Sequence, residues 1–429
     1  MKILPDLSHM DKPSRMRWLM ITFGFLATVL NYVHRLSFNY LSADGELRAI
    51  ISDEAFGYIG TAFFIAYTVS NAFSGYVIDR LGTRLGYALC MAVWTTAALF
   101  HAFVITPLQF GIVRFMLGIG EAGNWPAGTR IAREWFPPHE RSLATGIFNT
   151  GSALGAVIVP PLIAFLGVKY DWKATFLILA IFGYLWLVAF WFTYYTPEKA
   201  LKVNKIKDKV IPPVTLFKTR FLSMFTLSKA FLDPVWYFVT FWIGRYLVDV
   251  HGWDMKKIGF YAMLPFIIAD IGNIAGGYFT QFIIKKGIPI PKARMLAINL
   301  SAGIMAVALI AGPFIINTPI TALIIFGIVG FGYTSYTANA LAIPADVVPP
   351  SATATVWGLA CIGTGIGGAI FQSVSGLSLK FMTVNHTYDS AYSILFFMFG
   401  AAAIIGLILQ SLMGPLVKDK KLEAYVKGE

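Results

Sequence analysis

Charge is what this 429-residue chain has least of: Asp, Glu, Lys and Arg together make up 13% of it, about half the roughly 25% usual in soluble domains. A chain so poor in charge cannot clothe a water-facing surface of ordinary composition, so a soluble globular protein is excluded. Cysteine is scarce as well. Cys90 and Cys361 are the two present; both lie in apolar runs, which excludes an exposed disulfide framework and leaves no metal-ligand spacing. They read as small packing residues. The six histidines show no metal spacing either, and no phosphate-cradling loop or nucleophile motif is present. Those absences weigh against a membrane-embedded enzyme, and no cofactor or resident metal is expected. No cleavable signal peptide is recognised, because residues 1–17 are polar; the first apolar run is expected to serve as its own insertion signal.

What the chain has is apolar length. Hydrophobic residues make up 57% and aromatics 15%, with 36 phenylalanines. FLILAIFGYLWLVAFWF (176–192) and LIIFGIVGFGYTSYTANALAI (323–343) approach the ~20 residues that carry a helix across ~30 Å of hydrocarbon. Such runs recur twelve times, at about 18–40, 56–78, 85–104, 108–131, 142–167, 173–195, 222–248, 258–284, 293–315, 319–345, 352–378 and 390–414. The expected fold class is an all-α membrane protein with twelve spanning helices.

The net charge of +12 follows that topology. With the N-terminus taken as cytoplasmic, the inner segments hold 24 of the 34 Lys and Arg, the outer segments seven, and three lie inside spans. The asymmetry obeys the positive-inside rule. It also suits attraction to anionic headgroups of a bilayer, and nucleic acid is not an expected partner. Both termini are expected in the cytoplasm, the location in the cell (plasma or inner) membrane, and the chain to act as a monomer.

One break organises the chain. Residues 196–220 are basic, contain proline and have no apolar run, so they read as a cytoplasmic linker between six spans in 1–195 and six in 221–429. A repeat supports the division: GYVIDRLGTRLG (75–86) follows the second span and GGYFTQFIIKKG (276–287) the eighth. The first of these loops, with Gly75, Asp79, Arg80, Gly82 and Arg84 in register, resembles the loop signature of the major facilitator superfamily. That superfamily is the standing example of two six-helix halves around a midplane site. The resemblance implies a gating loop that favours the outward-facing state. Gly75 would permit close helix approach, Asp79 would sit at a helix N-terminus, and Arg80 and Arg84 would pair across the cytoplasmic interface. In the second half Gln281 replaces the acid, so the latch there would be weaker.

Ionisable groups inside spans need a reason, since each costs at least ~2.5–3.5 kcal/mol at a helix centre. In the first span Thr28, Tyr32, Arg35 and Asn39 share a stripe at helical spacing. Arg35 offers a permanently charged fork suited to a carboxylate; the alternatives are a structural pair or snorkelling to the surface. In the fourth span Arg114 and Glu121 lie two turns, about 10.5 Å, apart. Pro126 and a run of glycines loosen the same stretch. Glu121 there suits a proton carrier, or a static buried pair. In the seventh span Lys229, Asp233, Trp236 and Tyr237 follow i, i+4, i+7, i+8, and Pro234 frees the carbonyl of Ala230. This stripe supplies a cation, hydrogen-bonding groups and aromatic faces for a sugar acid, although Lys229 and Asp233 would also simply neutralise each other. Asp270 of the eighth span is open to substrate binding, ion coupling or pairing with Lys229. Glycines 363, 365, 367 and 368 of the eleventh span serve close packing and bending.

The strings NYVHR, GEAGNWPAG, EWFPPHERSLATGIFNTGSALG, LDPVWYFVTFWIGRYL and LPFIIADIGNIAGG resemble the anion:cation symporter family, and within it the hexuronate transporters, over essentially all twelve spans. The resemblance implies a small anionic substrate, a galacturonate- or glucuronate-like sugar acid, held by Arg35 and carried with protons through Glu121. Tyr32 and Tyr67 match positions that contact substrate. Many relatives have an acid where this chain has His34, which can still titrate near neutral pH but cannot supply the same countercharge; His34 and Asp270 join Glu121 as proton-coupling candidates. Another organic anion such as an aldonate, sodium coupling, or a transporter-shaped sensor are the alternatives.

Overall fold

The computed structural model describes residues 15–43, 45–137, 140–197, 213–348 and 353–414; most of the 196–220 linker, both chain ends and the side chain of Asp79 lie outside the described residues. Ten helices in it are long and apolar enough to cross a membrane. In chain order they include the first span, Met16–Leu41, the second, Asp53–Ile78, and the third, Arg80–Phe103. The last two form one continuous helical run bent at Gly82, whose φ of +80° lies in the left-handed region, where a glycine pays no Cβ penalty. The fifth, sixth and eighth spans are Leu143–Lys169, Trp172–Thr193 and Met255–Lys285; the ninth to twelfth are Ile290–Ile315, Pro319–Ala340, Thr355–Met382 and Tyr388–Ser411.

Two further segments complete twelve, and each departs from a plain apolar helix for a visible reason. The fourth span is two helices, Pro107–Glu121 and Asn124–Trp135. Pro126 has no N–H for the carbonyl of Ala122, and the hydroxyl of Ser74 in the second span donates to that carbonyl at 3.1 Å instead. A broken helix survives at membrane depth only when its freed backbone groups find such partners. The seventh span, Arg220–His251, is one unbroken 32-residue helix, but it carries Lys229, Asp233, Arg245 and Asp249, so its apolarity is diluted. The eighth span also breaks, into Met255–Tyr261 and Leu264–Lys285, where the sequence pattern predicts a single helix over 258–284; Pro265 in the first turn of the second piece accounts for the restart.

The seventh span runs directly against the eleventh. Pro234 leaves the Ala230 carbonyl without a helical donor, and a Cβ built on Gly367 would collide with that oxygen. One turn earlier Gly363 stands against Thr226 O in the same way. Close packing, expected of these glycines from the sequence, is therefore what the structure uses them for.

The first six spans and the last six meet along the second and eleventh, and along the fifth and eighth, where Gly259 packs on Pro160 and Ala164. Gly57 lies against Gly376, Thr61 donates to Ala369 O at 2.9 Å, and Gly365 packs on Thr68. Tyr237 of the seventh span meets Phe64 of the second, ring centres 4.3 Å apart. The contacts at Gly57 and Thr61 lie toward the end of the bundle at which the second span begins, here the far face, and those at Phe64 and Thr68 lie near its middle. The opposite end, where Thr193 and Arg220 border the linker, is the linker face; there Arg220 Nε ties the start of the seventh span to Leu412 O at 2.8 Å, within its own half.

Candidate functional site

The first and fourth spans bring together charges that the sequence keeps 86 positions apart. Arg35 Nε donates to Glu121 Oε2 at 2.7 Å, and Arg35 Nη2 donates to Asn31 Oδ1 at 3.2 Å. Three rings surround the guanidinium: Tyr32 and Phe63 with centres at 5.2 Å, Tyr67 at 4.9 Å. Arginine over aromatic faces gains cation–π attraction that grows as water is excluded. The hydrogen bonds of Arg35 among the described residues use Nε and Nη2 and leave Nη1 over, and Oε1 of the fully buried Glu121 is without a partner among the same residues. An ion pair with one open donor and one open acceptor is not a saturated structural bridge. It can take a carboxylate on the cation and a proton on the acid.

Arg114 does not hydrogen-bond to Glu121. Its Nη1 donates to the backbone carbonyl of Arg35 at 2.8 Å, its Cζ lies 4.5 Å from the Phe38 ring centre, and its Nε and Nη2 have no partners among the described residues. The sequence spacing sets Arg114 and Glu121 too far apart for a direct pair yet close enough to influence one another, and they do lie within electrostatic reach; the hydrogen bond to Glu121 comes from Arg35, and Arg114 serves as a brace for the Arg35 backbone. His34 points elsewhere, its Nε2 3.0 Å from Leu179 O of the sixth span. The structure thus brings Arg35, Tyr32, Tyr67 and Glu121 together and leaves His34 on another side of the same helix.

The stripe on the seventh span divides. Lys229 Nζ pairs with Asp233 Oδ2 at 2.8 Å and rests 4.7 Å from the Trp357 ring centre; Thr364 also donates to Asp233, whose Oδ1 is unpartnered. Trp236 stacks on Tyr333 with centres 5.3 Å apart and planes within 3° of parallel. Tyr237 faces the first half against Phe64 and lies within electrostatic reach of both Asp233 and Arg35. Each half therefore contributes one buried ion pair, with tyrosines between them. Asp270 does not pair with Lys229, which has Asp233, and it has no polar partner among the described residues.

The loop between the second and third spans also differs from expectation. A Cβ at Gly75 would meet only Pro126, at 4.0 Å, so close approach is not what Gly75 provides. The tight contact lies at Gly86, whose Cβ would come 2.9 Å from Ile78 Cα, and the bend between them is made at Gly82. Arg84 donates to Trp191 O at 3.1 and 2.6 Å from Nε and Nη2, and Arg80 to Tyr76 at 3.3 Å. Those bonds stay within the first half; they do not cross to the second. The hub on this face is Glu134, which sequence reading passes over: it accepts Arg130 at 2.7 Å, Thr83 at 2.8 Å and Tyr194 at 2.7 Å.

Bundles of this shape have known counterparts. The profile of the Major Facilitator Superfamily matches residues 16–372. The chain belongs to the major facilitator superfamily. A hexuronate transporter of Escherichia coli K12 is 29% identical over 385 residues, covering 86% of this chain and 88% of that one. A galacturonate transporter of Dickeya chrysanthemi is 28% identical over 330 residues, with 71% and 95% covered. Among solved structures, the inward-facing, occupied form of a bacterial homologue of the human lysosomal transporter Spinster superposes with a TM-score of 0.72 at 18% identity, covering 94% of this chain and 97% of that one. This major facilitator protein is a multi-pass membrane transporter, not an enzyme, and it resembles the superfamily's sugar-acid carriers.

Proposed function

We propose that this transporter carries a hexuronate-like sugar acid together with protons by alternating access. The observation that carries the reading is the Arg35–Glu121 pair, buried yet left with an open donor on Arg35 and an open acceptor on Glu121. A carboxylate that docks on Arg35 competes with Glu121 for the cation, and a carboxylate displaced in an apolar site holds a proton more readily. Substrate binding and proton binding then favour each other, which is what symport requires. Tyr32, Tyr67, Trp236 and Tyr237 offer hydroxyl partners and ring faces to a sugar, and Lys229 and Asp233 complete the opposite wall.

In the same reading the gating loop Gly75–Arg84, with Asp79, latches the linker face, and residues 196–220 join halves 1–195 and 221–429. The linker face lies in the cytoplasm of a cell membrane, and one chain suffices for transport. Uptake of labelled galacturonate into vesicles, with and without an imposed proton gradient, tests the proposal. Accumulation that depends on the gradient is expected; accumulation driven equally well without it removes proton coupling, and no uptake of any hexuronate removes the substrate class.

A further inference from the structure

The far face is closed by charges outside the central site. Arg245 of the seventh span, fully buried and 4.3 Å from the Phe56 ring centre, donates to Asp53 Oδ1 at 2.7 Å and to Ile51 O at 2.9 Å. Arg48, on the short helix Gly45–Ile50 between the first two spans, holds both oxygens of Asp53 at 2.8 and 3.2 Å. The same guanidinium reaches Asp249 of the seventh span at 3.1 Å and Tyr388 of the twelfth at 3.2 Å. Tyr388 in turn donates to Asp53 at 3.2 Å, and Tyr392 to Asp249 at 3.2 Å. Every one of the cross-half bonds in this cluster ends on residues 48–53 of the first half.

The spacing within each half matters as much as the bonds between them. Arg48 and Asp53 already form a two-pronged pair inside the first half. Arg245 and Asp249 are one turn apart on a single helix, the separation at which side chains pair. If the far face parts, neither half is left with an orphan charge, whereas most buried networks pay heavily when one partner leaves. The spacing thus leaves a second pairing open to the cluster, as a two-state element requires.

We propose that Arg48, Asp53, Arg245 and Asp249 form the far-face gate of the transporter, and that it opens by partner exchange: the crossing pairs Arg245–Asp53 and Arg48–Asp249 break, Arg48 keeps Asp53, and Arg245 takes Asp249 within its own half. Asp53 is the keystone, because it accepts arginines from both sides. The gate is independent of the substrate assigned above.

Thiol labelling of detergent-solubilised protein tests it without reference to orientation. Ile59→Cys lies beneath the gate, beside Asn39 and Phe56; Asn71→Cys lies one turn beyond Tyr67 toward the linker face. Labelling is scored in excess of the protein that carries only Cys90 and Cys361. Asp53→Asn removes more bonds from the closed arrangement than from the open one. It should raise Ile59→Cys labelling by roughly tenfold, the effect of one lost charged hydrogen bond, and lower labelling of Asn71→Cys. Asp249→Asn removes one crossing bond and also the partner that receives Arg245, so both labels should move little. Lys380→Met, which deletes the half-exposed rim pair with Glu54, should move neither. Unchanged Ile59→Cys labelling in Asp53→Asn, or a rise unaccompanied by a fall at Asn71→Cys, overturns the gate; equal opening by Asp53→Asn and Asp249→Asn overturns partner exchange.

Discussion

At the scale of residues, the site turns on how Arg35 divides its donors. Nε is committed to Glu121 and Nη2 to Asn31, so in the proposed binding mode a substrate carboxylate uses Nη1 or displaces Glu121. Arg35→Lys keeps the charge but cannot serve a neighbour and a carboxylate with a planar fork; Arg35→Ala removes the cation. A charge-assisted hydrogen bond is worth ~1.5–3 kcal/mol, so the dissociation constant for galacturonate, measured by titration calorimetry on folded protein, should rise at least tenfold in both. Unchanged affinity in both variants marks Arg35 as structural. Glu121→Gln imitates the protonated acid permanently. It should bind substrate and exchange it across the bilayer, since exchange needs no proton release, but it should not concentrate substrate when a proton gradient is imposed. Accumulation at the wild-type level would move the proton to another group, with His34 and then Asp270 next in line.

At the scale of elements, the packing of the seventh span on the eleventh is set by backbone. Pro234 strips the Ala230 carbonyl of its helical donor, and Gly367 lets the neighbouring helix close over it without a side chain. Gly367→Ala forces a methyl onto that oxygen, and overpacking of this kind costs ~1–3 kcal/mol. Its thermal unfolding midpoint in detergent should fall by several degrees. Gly303→Ala in the ninth span is the control, because a Cβ there meets nothing within 4 Å and alanine is the better helix former. Equal midpoints for the two variants would show that the approach at Gly367 is looser than described. The break in the fourth span follows the same logic, with Ser74 standing in for the donor that Pro126 lacks.

At the scale of the whole molecule, two halves touch along the second and eleventh spans and along the fifth and eighth, and they are bolted at the far face. The proposed orientation, with the linker inside, rests on the 24-to-7 distribution of basic residues and the positive-inside rule. Reporter fusions after residue 205 and at the C-terminus should therefore both score as cytoplasmic; a periplasmic score at either place breaks the proposed orientation.

The spans, the division into halves and the superfamily were legible in the linear chain because hydrocarbon imposes a length, a composition and a charge bias on every crossing segment. The broken fourth span was legible too, since proline acts on its own helix. Arg35 and Glu121 stood out one by one, as charges in apolar helices must. Their pairing did not, because two helices 86 positions apart have no common periodicity, and spacing within the fourth span relates Glu121 only to Arg114, at a distance too long for a direct pair. Direction around a helix decided His34, which shares the first span with Arg35 yet faces the sixth. The far-face cluster was hidden most completely: Arg48, Asp53, Arg245 and Asp249 read as ordinary charges at span ends, where water makes charge cheap. Only the docking of the two halves removes that water, and with it arises the reason for each charge to have a partner.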